Sequence, residues 1–196
     1  MKRVLVVAAA AIVLAGCEKP QEQKPPARMA AEQAVGSLSS AQNSPDVTVK
    51  SWWKAKDAWE KIAQAQCENS NELMSSVQKN METLAGPEIM TSIDCSSSET
   101  YERKIEDVQV QSETRALVVA RIKNTTPPDP GAPIDSEDQR LKDTGTLIRY
   151  TLERSDAKAG WKIVGASGKA GYSSTWDDIL EKSEPYNYKY VNTSLQ

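Results

Sequence analysis

Residues 101–123, which read YERKIEDVQVQSETRALVVARIK, decide the fold class of this chain. The first half carries Ile105, Val108 and Val110, typical of a strand. Its apolar pattern changes phase near Glu106, which predicts a β-bulge. The second half contains ALVVARI, a strongly β run, and the Ser-Glu-Thr between the halves has the length of a hairpin connection. The stretch therefore predicts two adjacent antiparallel strands.

The sequence after this hairpin predicts two more strands. Residues 124–143 contain four prolines, one glycine and five acids, and we expect a long loop there. Residues 145–154 alternate apolar and polar side chains, as a half-buried antiparallel strand does. A turn over 155–160 leads to Trp-Lys-Ile-Val at 161–164, the start of the last strand.

The sequence before the hairpin predicts two helices. The first begins near Ser51, and its apolar residues recur at spacings of three and four. These residues are Trp52, Ala55, Trp59, Ile62 and Ala63. The second runs from Asn71, a good N-cap, to Ala85, where Gly-Pro follows. Two helices followed by about four strands predict an α+β domain over residues 45–166, with the helices packed on one face of a curved antiparallel sheet.

The N-terminus has the organisation of a bacterial export signal. Met-Lys-Arg is a short basic region, and an uncharged apolar run over 4–14 follows it. The run ends in Leu-Ala-Gly-Cys, which resembles the lipobox of bacterial lipoproteins. The resemblance implies that residues 1–16 are a cleaved signal peptide and that Cys17 is the lipidated first residue, with acyl chains such as palmitate in the membrane. The alternative is an ordinary secretory signal followed by a chance cysteine.

The same resemblance implies a periplasm-facing position in the cell envelope. Aspartate after the lipidated cysteine is the usual inner-membrane retention mark in the family, whereas this chain has Glu18, so the outer membrane is favoured. Residues 17–44 have few large apolar side chains, and we expect the lipidated cysteine to continue into a flexible tether that can contain a short helix over residues 30–35. Residues 167–196 are expected to form a C-terminal extension or arm, which begins with a short helix near Trp176.

Two further cysteines predict a disulfide. Cys67 follows the first helix and Cys95 follows the second, and an exported chain meets an oxidising compartment. A bond between them would stabilise the fold by about 3–4 kcal/mol. The alternative is two buried free thiols. Metal binding by this pair is disfavoured because the chain has no histidine to complete a site.

Composition excludes several function classes. Without residues 1–16 the chain loses two cations and no acid, so the formal net charge goes from −3 to −5. The absence of a basic block argues against nucleic-acid binding. The absence of histidine removes Ser-His and Cys-His catalysis, and no phosphate loop or dinucleotide fingerprint is present. The acidic run at 135–140 lacks the glycine of a calcium loop and ends in a cation. We therefore predict no catalytic residue, no metal and no cofactor.

The order helix, helix, strand, hairpin, strand, strand is similar to the cone-shaped nuclear-transport-factor-two-like (cystatin-like) superfamily, and within it to small bacterial lipoproteins. SETRALVV at 112–119 resembles the polar turn and following strand of that family, and GWKIV at 160–164 resembles its closing strand. The likeness covers about 47–166, and the chain departs from the family at 124–143 and 167–196. It implies a pocket inside the cone, where catalytic members use Asp, His or Tyr. Tyr150 is the candidate substitute here, although a tyrosine on such a strand also serves as core.

Five aromatic residues are candidates for partner contacts. Adjacent positions on a helix diverge by about 100°, so Trp52 fits the core, whereas Trp53 is expected at the mouth of the cone or exposed. Three C-terminal tyrosines alternate and would share one side of an extended segment. The candidates are Trp53, Trp176, Tyr186, Tyr188 and Tyr190. The alternative is that both tryptophans of the helix are packing residues and that the C-terminal arm packs on its own domain.

Together these features predict a membrane-anchored, non-enzymatic periplasmic module that binds a protein or a small apolar ligand. An accessory or inhibitor (immunity-like) protein of an envelope or secretion system is one use consistent with them. The alternative is a histidine-free pocket enzyme, a hydrolase or isomerase, that uses Tyr or Asp. A filled apolar pocket would favour the binding module, whereas an Asp–Arg or Tyr–Asp pair converging in a wet pocket would favour the enzyme.

Overall fold

The computed structural model describes residues 25–65, 70–89, 99–169 and 174–179. The helices are α1 Pro26–Gly36, α2 Pro45–Gln64, α3 Asn71–Leu84 and α4 Ser136–Thr144, with a 3₁₀ turn at Pro87–Ile89. The strands are β1 Tyr101–Val110, β2 Arg115–Asn124, β3 Thr146–Glu153, β4 Lys162–Lys169 and β5 Asp177–Asp178. The predicted α+β class is confirmed, with helices N-terminal to an open antiparallel sheet. Within the described residues, no helix combines the length and the apolar character that crossing a membrane requires.

The sheet is a meander in which every strand pairs with its neighbour in sequence, in the order β1-β2-β3-β4-β5. The register of β1 on β2 shifts between Ile105 and Asp107, so the predicted bulge is confirmed. Strand β3 has a second shift against β4 at Thr151. We call the face of the sheet that carries Val118 and Leu152 the inner face, because both side chains are fully buried in the core.

The core lies between the inner face and the helices. The predicted apolar stripe of α2 is buried there, as are Val77, Met81 and Leu84 of α3. The 3₁₀ turn adds Ile89, Trp161 lies directly before β4, and β4 adds Ile163. A large-to-small substitution at such a fully packed position costs about 2–5 kcal/mol. The packing between α2 and the inner face therefore determines where the helix lies on the sheet.

The predicted tether is wrong for residues 25–44, which belong to the fold. Helix α1 packs on α2 and α3, and its Ala31 is fully buried. Gln42, in the following segment, donates its Nε2 hydrogen bonds to the backbone oxygens of Thr83 at 2.9 Å and Trp161 at 2.6 Å. The reason is that a helix of small side chains docks with little apolar area, so its composition resembles a linker. Residues 17–24 lie outside the described ranges.

The first predicted helix also begins earlier than expected. Helix α2 starts at Pro45, six residues before Ser51, because proline is well suited to the first turn of a helix.

The segment 124–143 was expected to be a loop, but α4 begins within it. Its acid-rich composition favoured the interpretation as a solvated loop. The side chain of Asp135 accepts a hydrogen bond from the backbone nitrogen of Asp138 at 2.8 Å, which caps the helix. Two acids in the first turn favour the helix through its dipole. The helix ends at Gly145, whose φ of +68° suits glycine. The acids therefore start a helix rather than solvate a loop.

The sheet also extends past the predicted domain boundary at residue 166. Strand β4 continues to Lys169, and β5 pairs with it, with Asp177 opposite Gly168. The short helix predicted near Trp176 is therefore wrong, because the residues that follow add a strand to the sheet edge. Residues 180–196 lie outside the described part of the chain.

Candidate binding groove

An open groove of about 440 Å³ lies between α2 and the inner face of the sheet. We call it the apolar groove, because most of its wall is hydrocarbon or aromatic ring. The apolar wall residues are Trp52, Ile89, Ile122, Ile148, Ala166 and Ile179. The groove falls in the size range of about 300–1,000 Å³ that is usual for small-molecule sites.

A second cavity, which we call the side cavity, opens beside the groove. It has a volume of about 600 Å³ and lies between α2 and the first half of β1. The two cavities share Trp53, Tyr101 and Arg103 as wall residues. These three side chains therefore form the partition between a mostly apolar space and one lined by charged side chains such as Lys50 and Lys54.

Trp53 and Tyr150 form the deepest polar contact of the wall. The indole Nε1 of Trp53 donates a hydrogen bond to the hydroxyl of Tyr150 at 3.0 Å, and the two rings meet edge to face. Burial raises the pKa of Tyr150, and this effect outweighs the lowering by the Trp53 hydrogen bond and by the positive charge of Arg103. The hydroxyl therefore stays protonated near neutral pH and can donate a hydrogen bond of its own.

Arg103 is held in the partition by two contacts. Its Nη1 donates to Oδ1 of Asp57 at 2.6 Å, and its guanidinium lies over the ring of Tyr101, 5.3 Å from the centroid. The Arg103 side chain is only 11% exposed, whereas that of Asp57 is 58% exposed. The positive charge thus lies inside the wall, and its carboxylate partner faces solvent.

Tyr101 completes the partition. Its hydroxyl donates a hydrogen bond to the carboxylate of Glu99. Burial, followed by this hydrogen bond and the negative charge of Glu99, raises the pKa of Tyr101 to about 12. Near neutral pH this phenol is a hydrogen-bond donor and cannot act as a base.

Lys56 supplies the second cation of the apolar groove. The residue is half-buried on α2, and desolvation lowers its pKa. The nearby charge of Arg103 lowers it further, while the charges of Glu60 and Glu99 act in the opposite direction. Among the described residues that line the groove there are two cations, Lys56 and Arg103, and no carboxylate. Both cations have carboxylates beside the groove, since Asp57 pairs with Arg103 and the charges of Glu60 and Glu99 act on Lys56.

The two tryptophans predicted to contact a partner, Trp53 and Trp176, lie at different places in the structure. Trp53 is 9% exposed and lies in the wall of both cavities, so it is a packed residue at the mouth of the groove. Trp176 lies elsewhere, with its ring 4.6 Å from the guanidinium carbon of Arg149. Arg149 precedes the inward-facing Tyr150 on β3, so this contact is on the outer face of the sheet.

The remaining candidates cannot be placed. Tyr186, Tyr188 and Tyr190, together with Cys17, Cys67 and Cys95, lie outside the described ranges. The lipidation, the disulfide and the tyrosine surface stay predictions. Over the ranges that are described, no cluster of three or more acids, cysteines or histidines is arranged to hold a metal ion.

The charged residues of the groove were missed in the sequence. Lys56 lies outside the apolar stripe that predicts the first helix, and no motif singles out Arg103. One signal was available, because Arg103 alternates in phase with Tyr101 and Ile105 on β1. An arginine at an inward position of a strand indicates a buried partner or a ligand site.

Comparison of the chain with protein-family models, with curated proteins and with solved structures finds no match. The assignment of a function therefore depends on the geometry of the groove and on the sequence.

Proposed function

We propose that this protein is a lipid-anchored, periplasm-facing envelope protein whose α+β domain is a non-enzymatic binding module. The observation that carries the proposal is the apolar groove between α2 and the sheet, open to solvent and walled by Trp52, Ile122 and Ile148. Binding of an apolar group there would cover hydrocarbon surface, at about 25 cal/mol for each Å² removed from water. Helices before an antiparallel sheet, with a groove between the two layers, also support the resemblance to nuclear-transport-factor-two-like domains.

The ionisable groups around the groove favour binding over acid–base catalysis. The phenols of Tyr101 and Tyr150 have raised pKa values, so neither is a base near neutral pH. The carboxylate of Asp57 is occupied by the Arg103 guanidinium at 2.6 Å. A general base needs a pKa near the working pH and access to the reacting proton. These three groups are better suited to holding a ligand than to removing a proton from it.

One observation favours the alternative of a histidine-free enzyme. The Asp57–Arg103 pair and Tyr101 converge at the side cavity, and such a pair in a wet pocket is one sign of a catalytic site. Under the enzyme hypothesis Asp57→Asn would abolish turnover. Under our proposal the same change removes only an exposed partner of Arg103, and ligand binding in the apolar groove persists.

The binding site can be tested in cells that produce the full-length chain. A photo-crosslinking amino acid is placed at Thr146, which lines the groove, or at Lys162, which is exposed on the outer face of the sheet as the matched control. We expect an adduct from position 146 and none from 162, and its mass separates a small molecule from a protein. Equal labelling at both positions, or none at 146, contradicts the assignment of the groove.

The anchor needs a separate experiment. We expect Cys17→Ala to lose the acyl mass and to leave the detergent phase on phase separation, because a lipobox cysteine carries the lipid through its sulfur. If the substituted protein still fractionates as an acylated protein, the anchor is wrong, whatever the groove binds. A role as an accessory or inhibitor of an envelope or secretion system is a use of such an anchored module, and a protein adduct at Thr146 would support it.

A further inference from the structure

We propose that the start of α1 faces the membrane, with the side chain of Met29 in the lipid interface, so that the domain is held against the bilayer. This inference rests on the proposed lipid anchor at Cys17 and adds the surface of the domain that contacts lipid. The partner is the envelope bilayer in which the acyl chains of the anchor are embedded.

The chain between the anchor and the fold is short. Helix α1 begins at Pro26, so the connection from Cys17 to Pro25 is eight residue steps. Fully extended, these steps span at most about 29 Å, at roughly 3.6 Å each. A tether that ran to residue 44, as its composition predicts, would reach up to about 97 Å. The docking of α1 therefore removes most of the distance that the sequence alone allows between the domain and the bilayer.

Helix α1 does not lengthen this connection, because it is fixed to the domain. It packs on α2 and α3, and its Ala31 is fully buried in the core. Val35 and Leu38 are partly buried against the same core. Beyond the helix, the side chain of Gln42 is hydrogen-bonded to the backbone of α3 and of Trp161. The anchor is therefore connected to a folded body at the first residue of this helix.

The connection is also shorter than the domain is wide. A folded domain of about 140 residues has a radius of gyration of about 14 Å, which corresponds to a sphere about 37 Å across. To turn the far side of the domain to the bilayer, the connection would have to run around the whole body. Eight residue steps are too few for this, so the side that carries the start of α1 is the one that faces the membrane.

The start of α1 is suited to a lipid interface. Its exposed residues carry no charged side chain, and they are Pro25, Pro26, Ala27, Met29 and Ala30. Met29 has the longest apolar side chain of the five and is 52% exposed. The charge of Arg28 is paired with Glu32 at 3.2 Å. A single exposed methionine is common on protein surfaces. Here the short connection places it beside acyl chains, where its burial removes hydrocarbon from water.

The test uses the full-length, lipidated chain in lipid nanodiscs, with a fluorescent amino acid at position 29 or 110. Val110 is the matched control, because it is apolar and 62% exposed but lies at the end of β1, far along the chain from the anchor. Lipids with brominated acyl chains quench a fluorophore that contacts them. We expect a loss of emission at position 29 and none at 110, because interfacial apolar side chains are buried about 5–10 Å into the boundary between head groups and acyl chains. Equal quenching at both positions, or none at 29, would overturn the proposal.

A longer connection tests the cause of this contact. A Gly/Ser linker of about 20 residues, inserted between Lys24 and Pro25, has a root-mean-square span of about 22–27 Å. We expect it to leave the acyl mass unchanged and to lower the quenching at position 29 to the level at 110. Unchanged quenching would contradict the role of the short connection. Absence of the acyl mass would overturn the anchor together with this inference, whereas an acylated protein without quenching at 29 overturns this inference alone.

Discussion

The indole nitrogen of Trp53 and the hydroxyl of Tyr150 are joined by a 3.0 Å hydrogen bond although the two residues are 97 positions apart in the chain. Their ring centroids are 6.3 Å apart at an interplanar angle of 65°, an edge-to-face arrangement. The bond connects α2 to β3 and forms part of the wall between the two cavities. It is therefore a structural contact and a boundary of the proposed binding site.

Replacing Tyr150 by phenylalanine should destabilise the protein by about 1–3 kcal/mol, because the buried N–H of Trp53 would lose its acceptor. Tyr101→Phe is the comparison, since its partner Glu99 is exposed and can be rehydrated. Denaturant unfolding of the three proteins measures both losses. Equal losses at the two tyrosines would show that the Trp53 contact has no special role.

Gly145 should tolerate no side chain. Its φ is +68°, and a Cβ there would lie 2.6 Å from the backbone oxygen of Ile122. Gly131 also has a positive φ, of +82°, but a Cβ there would meet nothing within 4 Å. We expect Gly131→Ala to cost about 1 kcal/mol and Gly145→Ala about 3 kcal/mol or more, as measured by unfolding. Similar costs at the two glycines would mean that the positive φ alone determines both and that the close contact with Ile122 adds nothing.

Tyr101 should make stability fall at alkaline pH. Folding raises the pKa of this phenol from 10.0 to about 12, so the folded state holds the proton more tightly than the unfolded chain does. The resulting stability is complete below the unfolded pKa and is lost as the pH rises through the folded pKa. The difference in tyrosinate absorbance between the wild type and Tyr101→Phe should titrate near pH 12. A midpoint near the ordinary value of 10.0 would contradict the desolvation of this phenol and its hydrogen bond to Glu99.

Gln42 should be a stabilising residue rather than part of a linker. Its side chain donates hydrogen bonds to the backbone of Thr83 and of Trp161, and its own backbone oxygen accepts one from the nitrogen of Trp161 at 3.1 Å. We expect Gln42→Ala to cost about 1–2 kcal/mol in thermal or denaturant unfolding. Gln33→Ala, at an exposed position of α1, is the control and should cost less. No loss at position 42 would argue for a loosely attached N-terminal segment.

Cys67 and Cys95 should be joined in the natively exported protein. Alkylation is expected to add mass to these two residues only after reduction, and reduction should lower the free energy of unfolding by about 3–4 kcal/mol. Alkylation of both thiols without reduction would refute the bond.

The sequence predicted the elements whose pattern is local. The apolar and β-rich runs of β1 and β2, the bulge after Ile105 and the stripe of α2 were visible because each depends on neighbouring residues. The packing of helix α1 on α2 and α3 was not predicted, because Ala31 and its small neighbours give a weak apolar signal. Helix α4 was missed because its cap at Asp135 lies in a proline-rich segment.

The groove could not be predicted in the same way. The Arg103–Asp57 contact spans 46 residues and depends on how α2 lies across the sheet, which no local pattern encodes. The alternation of β1 showed which side Arg103 faces, but not that Lys56 would share a cavity with it.

The order of the elements along the chain sets the time that passes during synthesis between α2 and the strand that packs on it. Trp53 of α2 leaves the ribosome well before the strand that carries Tyr150, because 97 residues separate it from its partner. At about 5–20 residues per second the delay is about 5–20 s, whereas a helix forms within microseconds. The strands can pair as consecutive hairpins as soon as they emerge. The indole N–H of Trp53 lacks its Tyr150 acceptor throughout that interval, so this part of α2 is completed only when β3 arrives.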